Sequence, residues 1–183
     1  SDGGEHFGPD RALAFAEEML AQGASVVDVG GESSRPAGQV YGEGHLPVSV
    51  ADELGRVMPV VERLVARGIR VSVDTTKGEV AEAALRAGAS CINDVSCAQS
   101  EGLLRAAASY GAELVLMHNR GRGACEGESV RYGNLVDELC QELALARQKA
   151  VDCGVLPEKI WFDPGLGFAK TAAQSLEVLR SLN

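Results

Sequence analysis

Side chains able to hold a polar ligand recur at five places along this chain: Asp28 followed by Glu32 to Arg35; Asp74 and Thr75; Asn93 and Asp94; His118 and Arg120; and Asp163 with Gly165, Gly167 and Phe168. Carboxylates and an amide drawn into one partly dry pocket supply several acceptors and a donor. That set suits a flat heterocycle bearing amino and lactam groups, which needs several fixed hydrogen bonds at once. Phe168 would add an apolar wall, with Gly165 and Gly167 letting the backbone come close. Arg35, stiffened by Pro36 in "GGESSRP", offers a planar fork of donors to a phosphate or carboxylate. Each residue also has an ordinary use: an Asp after a strand often caps a helix or closes a turn, Asn93 can close one, and a His after an apolar run is commonly a packed one. Arg35 can be a solvated surface residue. Coincidence at so many equivalent places favours the shared pocket. Spacing alone reaches a small polar aromatic ligand plus an anion.

Strands must deliver these groups. Five short apolar runs, 25–30, 70–75, 90–95, 113–118 and 159–164, lack polar alternation and read as parallel strands buried on both faces. Between them, helical spacing marks 9–22, 50–67, 77–87, 100–109, 132–153 and 172–181. In the first, Leu13, Ala16, Ala12 and Leu20 repeat at three and four behind Pro9 and Asp10; in the third, Val80, Ala83, Ala84 and Ala87 form the stripe and Gly88 ends it. Alternating strand and helix predicts a parallel sheet with right-handed crossovers. Of the two architectures that supply one, a (β/α)8 barrel fits better than a doubly wound sheet. The polar residues are spread over all five strand ends rather than gathered at one switch point, and no glycine-rich dinucleotide fingerprint opens the first helix.

At 183 residues the chain is expected to form a single domain over 1–183. Its net charge of −9 argues against a nucleic-acid partner. The five cysteines include no C-x-x-C pair and read as free thiols in a reducing cytoplasm. No apolar run approaches the ~18 residues of a membrane helix, so no membrane role is expected.

Together "SDGGEHF", "VVDVGGESSRPAG", "VSVDTTKGEVAEAAL", "CINDV", "LVLMHNRG" and "IWFDPGLGFAKT" make the chain resemble the dihydropteroate synthase family. The resemblance implies a TIM barrel that joins a hydroxymethyl-dihydropterin diphosphate to para-aminobenzoate, releasing diphosphate in folate biosynthesis. It implies that Asp74, Asn93 and Asp163 hydrogen-bond the pterin, that Met117, Gly167 and Phe168 line its pocket, and that Lys170 is a further substrate contact. Arg35 would contact the diphosphate, and Ser34 and Pro36 would border the aminobenzoate, where sulfonamides would bind. Asp74, Asp163 and Arg35 would be the catalytic set, and Asp2 would lie near a magnesium ion (Mg2+). The family commonly forms homodimers.

Relative to the family's pattern the chain matches a central portion, without the first strand and the last two. An incomplete barrel of about five parallel strands and flanking helices is therefore expected, inactive by itself and prone to associate through its open edges. Two other readings remain at this point: a non-catalytic pterin-binding relative acting as partner of a true synthase, and a pterin-dependent methyltransferase on a related barrel.

Overall fold

The computed structural model describes residues 8–33, 47–120 and 131–182. Helices α1 (Pro9–Ala21), α2 (Val50–Ala66), α3 (Gly78–Arg86), α4 (Glu101–Tyr110), α5 (Leu135–Asp152) and α6 (Ala172–Arg180) alternate with strands β1 (Val27–Gly30), β2 (Val71–Asp74), β3 (Cys91–Asp94), β4 (Glu113–Met117) and β5 (Ile160–Asp163). The strands lie side by side in chain order, β1-β2-β3-β4-β5, with every neighbour parallel. A doubly wound sheet would reverse its order at a switch point; an unbroken sequential order is the wall of an α/β barrel.

Local chemistry sets the element ends. Ser49, Ser100 and Asn134 cap α2, α4 and α5 by accepting from the amides of Asp52, Leu103 and Asp137. The Asn134 cap is why α5 begins at Leu135 rather than at 132. Thr171 and Gln174 close a reciprocal capping box on α6. Gly88 follows α3 with φ 105°, the left-handed residue expected there, and Gly111 ends α4 with φ 60°. In α3 the buried stripe is Val80, Ala81, Ala84 and Leu85 rather than the one that includes Ala83 and Ala87.

The period of two along each strand sorts the residues onto two faces. Val27, Val71, Val73, Ile92, Leu114 and Leu116 point outward and pack under the helices, against Val57, Val61, Leu64, Val80, Leu103 and Leu104. The inward set is mostly polar or small, with Trp161 the large exception: Asp28 and Gly30, Ser72 and Asp74, Cys91 and Asn93, Glu113 and Val115, Trp161 and Asp163. The outer face is the packed one, except at Phe162 on the β5 edge. The expectation of strands buried on both faces therefore fails for β1 and β5, where Asp28, Gly30, Trp161 and Phe162 are exposed. These are the two edges of the described sheet: Asp28, Gly30 and Trp161 are on the inner side, whereas Phe162 is on the outer side and is left uncovered at the β5 edge. Among the described residues no helix is long and apolar enough to cross a membrane.

Candidate functional site

Inward residues from each of the five strands border an open cavity of about 350 Å³, lined by Val26, Asp28, Ser72, Cys91, Asn93, Glu113, Val115, Trp161 and Asp163. Register explains the convergence: Asp74 stands opposite both Gly30 and Asn93, and Asp163 stands opposite Met117 one inward position further along. Parallel neighbours in register share a face, so the acids and the amide at the carboxyl ends of β2, β3 and β5 share one rim.

Asn93 donates through Nδ2 to Asp28 Oδ2 at 3.1 Å, which fixes the amide's orientation. Its Oδ1 is buried and has no hydrogen-bond partner among the described residues. An orphaned buried acceptor costs about 1–3 kcal/mol, a cost that a ligand N–H would remove. Burial, then the charge of Asp28, pushes the Asp74 carboxyl up to about 7. Asp74 is not among the residues lining the larger cavity; it stands next to Asn93 by register and borders a small recess with Glu32, Ser33, Glu53, Thr75, Thr76 and Val95. Asp163 lines the cavity, and its Oδ1 also accepts the Gly165 amide at 2.7 Å in a tight turn, the ordinary use open to an Asp after a strand. Asp94 is the purely structural acid, fully buried and accepting from the amides of Ser96 and Ala98 and from the Ser96 hydroxyl.

The other expected residues separate. Met117 is buried beside Asp163, half-buried Phe168 and exposed Gly167 stand in the turn after β5, and none of the three lines the cavity. Lys170, expected to touch substrate, is 3% exposed beneath that turn, where it donates to the carbonyls of Gly165 and Phe168 at 3.1 Å and to His118 Nδ1 at 2.8 Å. Asp2, Ser34, Arg35 and Pro36 lie outside the described residues. No cluster of three or more His, Cys, Asp or Glu among the described residues is arranged to hold a metal ion.

The start of "GGESSRP" has a packing role within the fold. Gly31 presses on α2, where a Cβ would come within 2.8 Å of Val57 Cγ2 and 2.9 Å of Glu53 Cγ, and Arg56 donates to its carbonyl at 2.9 Å. Glu32 accepts from the ammonium of Lys77, which also bonds the fully buried Glu53; Thr75 donates to the other oxygen of Glu53 at 2.7 Å. Burial draws the Lys77 ammonium down, yet its bonds and attraction to Glu32 and Glu53 outweigh this and hold it above its ordinary value. This cluster clips the β1 loop and α2 to the end of β2.

The sequence puts Asp28 among the polar groups at the strand ends but gives it no role, and it does not single out Trp161. Both were visible as inward partners by period two, Asp28 two residues before Gly30 and Trp161 two before Asp163.

The family described as "Pterin binding enzyme" matches residues 1–183. The dihydropteroate synthase of Staphylococcus epidermidis is 40% identical over 184 residues, covering 100% of this chain and 64% of its own length. The crystal structure of Yersinia pestis dihydropteroate synthase in complex with a sulfonamide drug superposes with a TM-score of 0.90 at 38% identity, over 100% of this chain and 64% of that one. Xanthomonas albilineans dihydropteroate synthase with 4-aminobenzoic acid gives 0.84 at 38% identity, over 100% and 62%. The chain thus spans less than two thirds of the length of these relatives.

Proposed function

The chain belongs to the pterin-binding enzyme family, and from that premise we propose that it serves a dihydropteroate synthase, a transferase joining hydroxymethyl-dihydropterin diphosphate to para-aminobenzoate to give dihydropteroate and diphosphate. The observation that carries the reading is the inward polar rim, above all the buried, partnerless Oδ1 of Asn93 beside Asp74 and Asp163. A pterin ring presents amino and lactam N–H groups, the donors that such a rim requires. Curated relatives are synthases by name, which supports the catalytic reading over a binding-only partner.

In this reading the bond from the pterin methylene carbon to the diphosphate oxygen breaks with its electron pair leaving on diphosphate. The lone pair of the aminobenzoate amine then forms the new carbon–nitrogen bond, and the amine proton passes to water. Asp74 and Asp163 accept from the ring N–H groups, and as carboxylates they stabilise the positive charge that develops on the ring. Asn93, locked by Asp28, fixes the ring's orientation. Arg35 binds the diphosphate, and Ser34 and Pro36 border the aminobenzoate, the side on which sulfonamides would compete. The reading includes a magnesium ion near Asp2 to offset the charge of the diphosphate, and no step here depends on it. Free thiols at Cys91, Cys97, Cys140 and Cys153 support a cytoplasmic setting.

Trp161 is the only tryptophan of the chain and lines the cavity, so its fluorescence reports occupancy. Titration with the pterin diphosphate should quench it saturably, and Asp74→Asn or Asp163→Asn should weaken binding by roughly ten- to a hundredfold. Affinity unchanged in both variants would refute the assignment.

A further inference from the structure

Lys170 is the described residue whose position departs furthest from its expected role. Its ammonium is drawn under the Gly165–Phe168 turn, where it donates to both flanking carbonyls and to His118. The imidazole accepts at Nδ1, so it presents Nε2–H to Glu142 Oε2 at 3.0 Å. Glu142 is held in turn by Arg120, whose Nε donates to Oε1 at 2.8 Å. Arg120 lies over the Tyr132 ring at 4.0 Å, and the Tyr132 hydroxyl donates to the carbonyl of Ala169, next to Lys170. The chain of contacts runs from α5 to the turn that follows β5.

That turn carries a cavity residue. The Gly165 amide donates to Asp163 Oδ1, while the Gly165 carbonyl accepts from Lys170. One peptide residue therefore links the buried ammonium to a carboxylate on the cavity wall. The turn has little freedom of its own: Gly165 has φ 64°, and a Cβ there would stand 2.2 Å from the His118 carbonyl oxygen.

We infer that Lys170, seated on neutral His118, is a positioning residue that sets the orientation of Asp163 for the ligand without touching it. The ligand part rests on the pterin reading above; the positioning part does not. The groups facing His118 are Lys170, Glu142, Arg120 and Tyr132. Burial first, and the Lys170 charge second, hold its pKa below the ordinary histidine value. Imidazolium and ammonium cannot share this contact, since a protonated Nδ1 is no acceptor.

The test uses the 183-residue chain and two readouts. Without ligand, the amide resonances of Gly165 and Phe168 are expected to move in Lys170→Met, and the His118 pKa to rise as the neighbouring charge is removed. With the pterin diphosphate, Trp161 quenching is expected to show roughly tenfold or more weaker binding. His118→Gln can offer an amide oxygen to Lys170 and an amide N–H to Glu142, so it should bind within about threefold of the parent; His118→Leu should lose as much as Lys170→Met. This pair decides the matter if Lys170→Met does not fold. Unmoved Gly165 and Phe168 amides, or equal binding by the Gln and Leu variants, would overturn the proposal. A parent chain that binds no pterin while those amides still respond to Lys170→Met would overturn the pterin reading and leave the positioning role standing.

Discussion

Asp74 is where stability and function pull apart. Its carboxyl sits near 7 in the folded chain against 3.8 for an unperturbed one. The folded state therefore binds the proton more tightly than the unfolded state, and stability falls as pH rises from about 4 to about 7. Asp74→Asn should raise the melting temperature at pH 8 and flatten that pH dependence, while costing pterin affinity. Ring N–H groups need the ionised acceptor, so affinity of the parent chain should climb between pH 6 and pH 8. Calorimetry in buffers of different ionisation enthalpy should show a proton released on binding at pH 6. No proton release, or an unchanged melting curve for the variant, would contradict this. At this scale residue type was legible and environment was not. Asp74, Asn93 and Asp163 could be chosen from type and strand position, but nothing in "DVS" announced that Asp94 would spend both oxygens on its own loop. Nor did "FAKT" announce that Lys170 would turn inward, because burial of a lysine depends on acceptors 5 and 52 residues away.

At the level of elements, the loops and helices are clipped by buried charge and close backbone contact. Lys77 neutralises Glu53, which is fully buried on α2, and Glu32 on the β1 loop. Removing the cation leaves a carboxylate without its counter-charge, so Lys77→Met should destabilise by about 3–5 kcal/mol. Pairing it with Glu53→Gln should recover much of that loss in chemical denaturation; equal stabilities for the single and double variants would argue against the cluster. Gly78 and Gly102 bring the starts of α3 and α4 together: a Cβ on Gly78 would meet the Gly102 carbonyl carbon at 2.9 Å and the Leu103 nitrogen at 3.0 Å. Both contacts are backbone, so Gly78→Ala is expected to cost about 1–3 kcal/mol, read from the urea midpoint. Element type and order were readable from periodicity, with α5 shortened by its asparagine cap. The pairing of Gly78 with Gly102 was not, because it joins two helices across an intervening strand.

Among the described residues, the five strands form an arc whose outer face is packed except at Phe162 and whose inner face carries the cavity, with polar groups at its rim and Val26, Val115 and Trp161 in its wall. Trp161 and Phe162 on the β5 edge are 58% and 48% exposed, and Leu176, Leu179 and Leu182 add apolar surface around α6. A parallel sheet with two such edges invites pairing. Sedimentation velocity on the 183-residue chain should reveal dimers or larger species at micromolar concentration, decreasing when Phe162 is replaced by Lys. A monomer at all concentrations would refute the expectation.

Asp28, Asp74 and Asn93 are neighbours on the inner side of the arc, and Asp163 faces them across the cavity wall; a pterin held there would meet this rim. The most direct measurement is a crystal structure of the chain with a 6-hydroxymethylpterin bound. It should show the ring in the cavity beside Trp161, one of its N–H groups about 3 Å from Asn93 Oδ1, and both Asp74 and Asp163 on its edge. A ring seated anywhere else, or an Asn93 Oδ1 still without a donor, would contradict it.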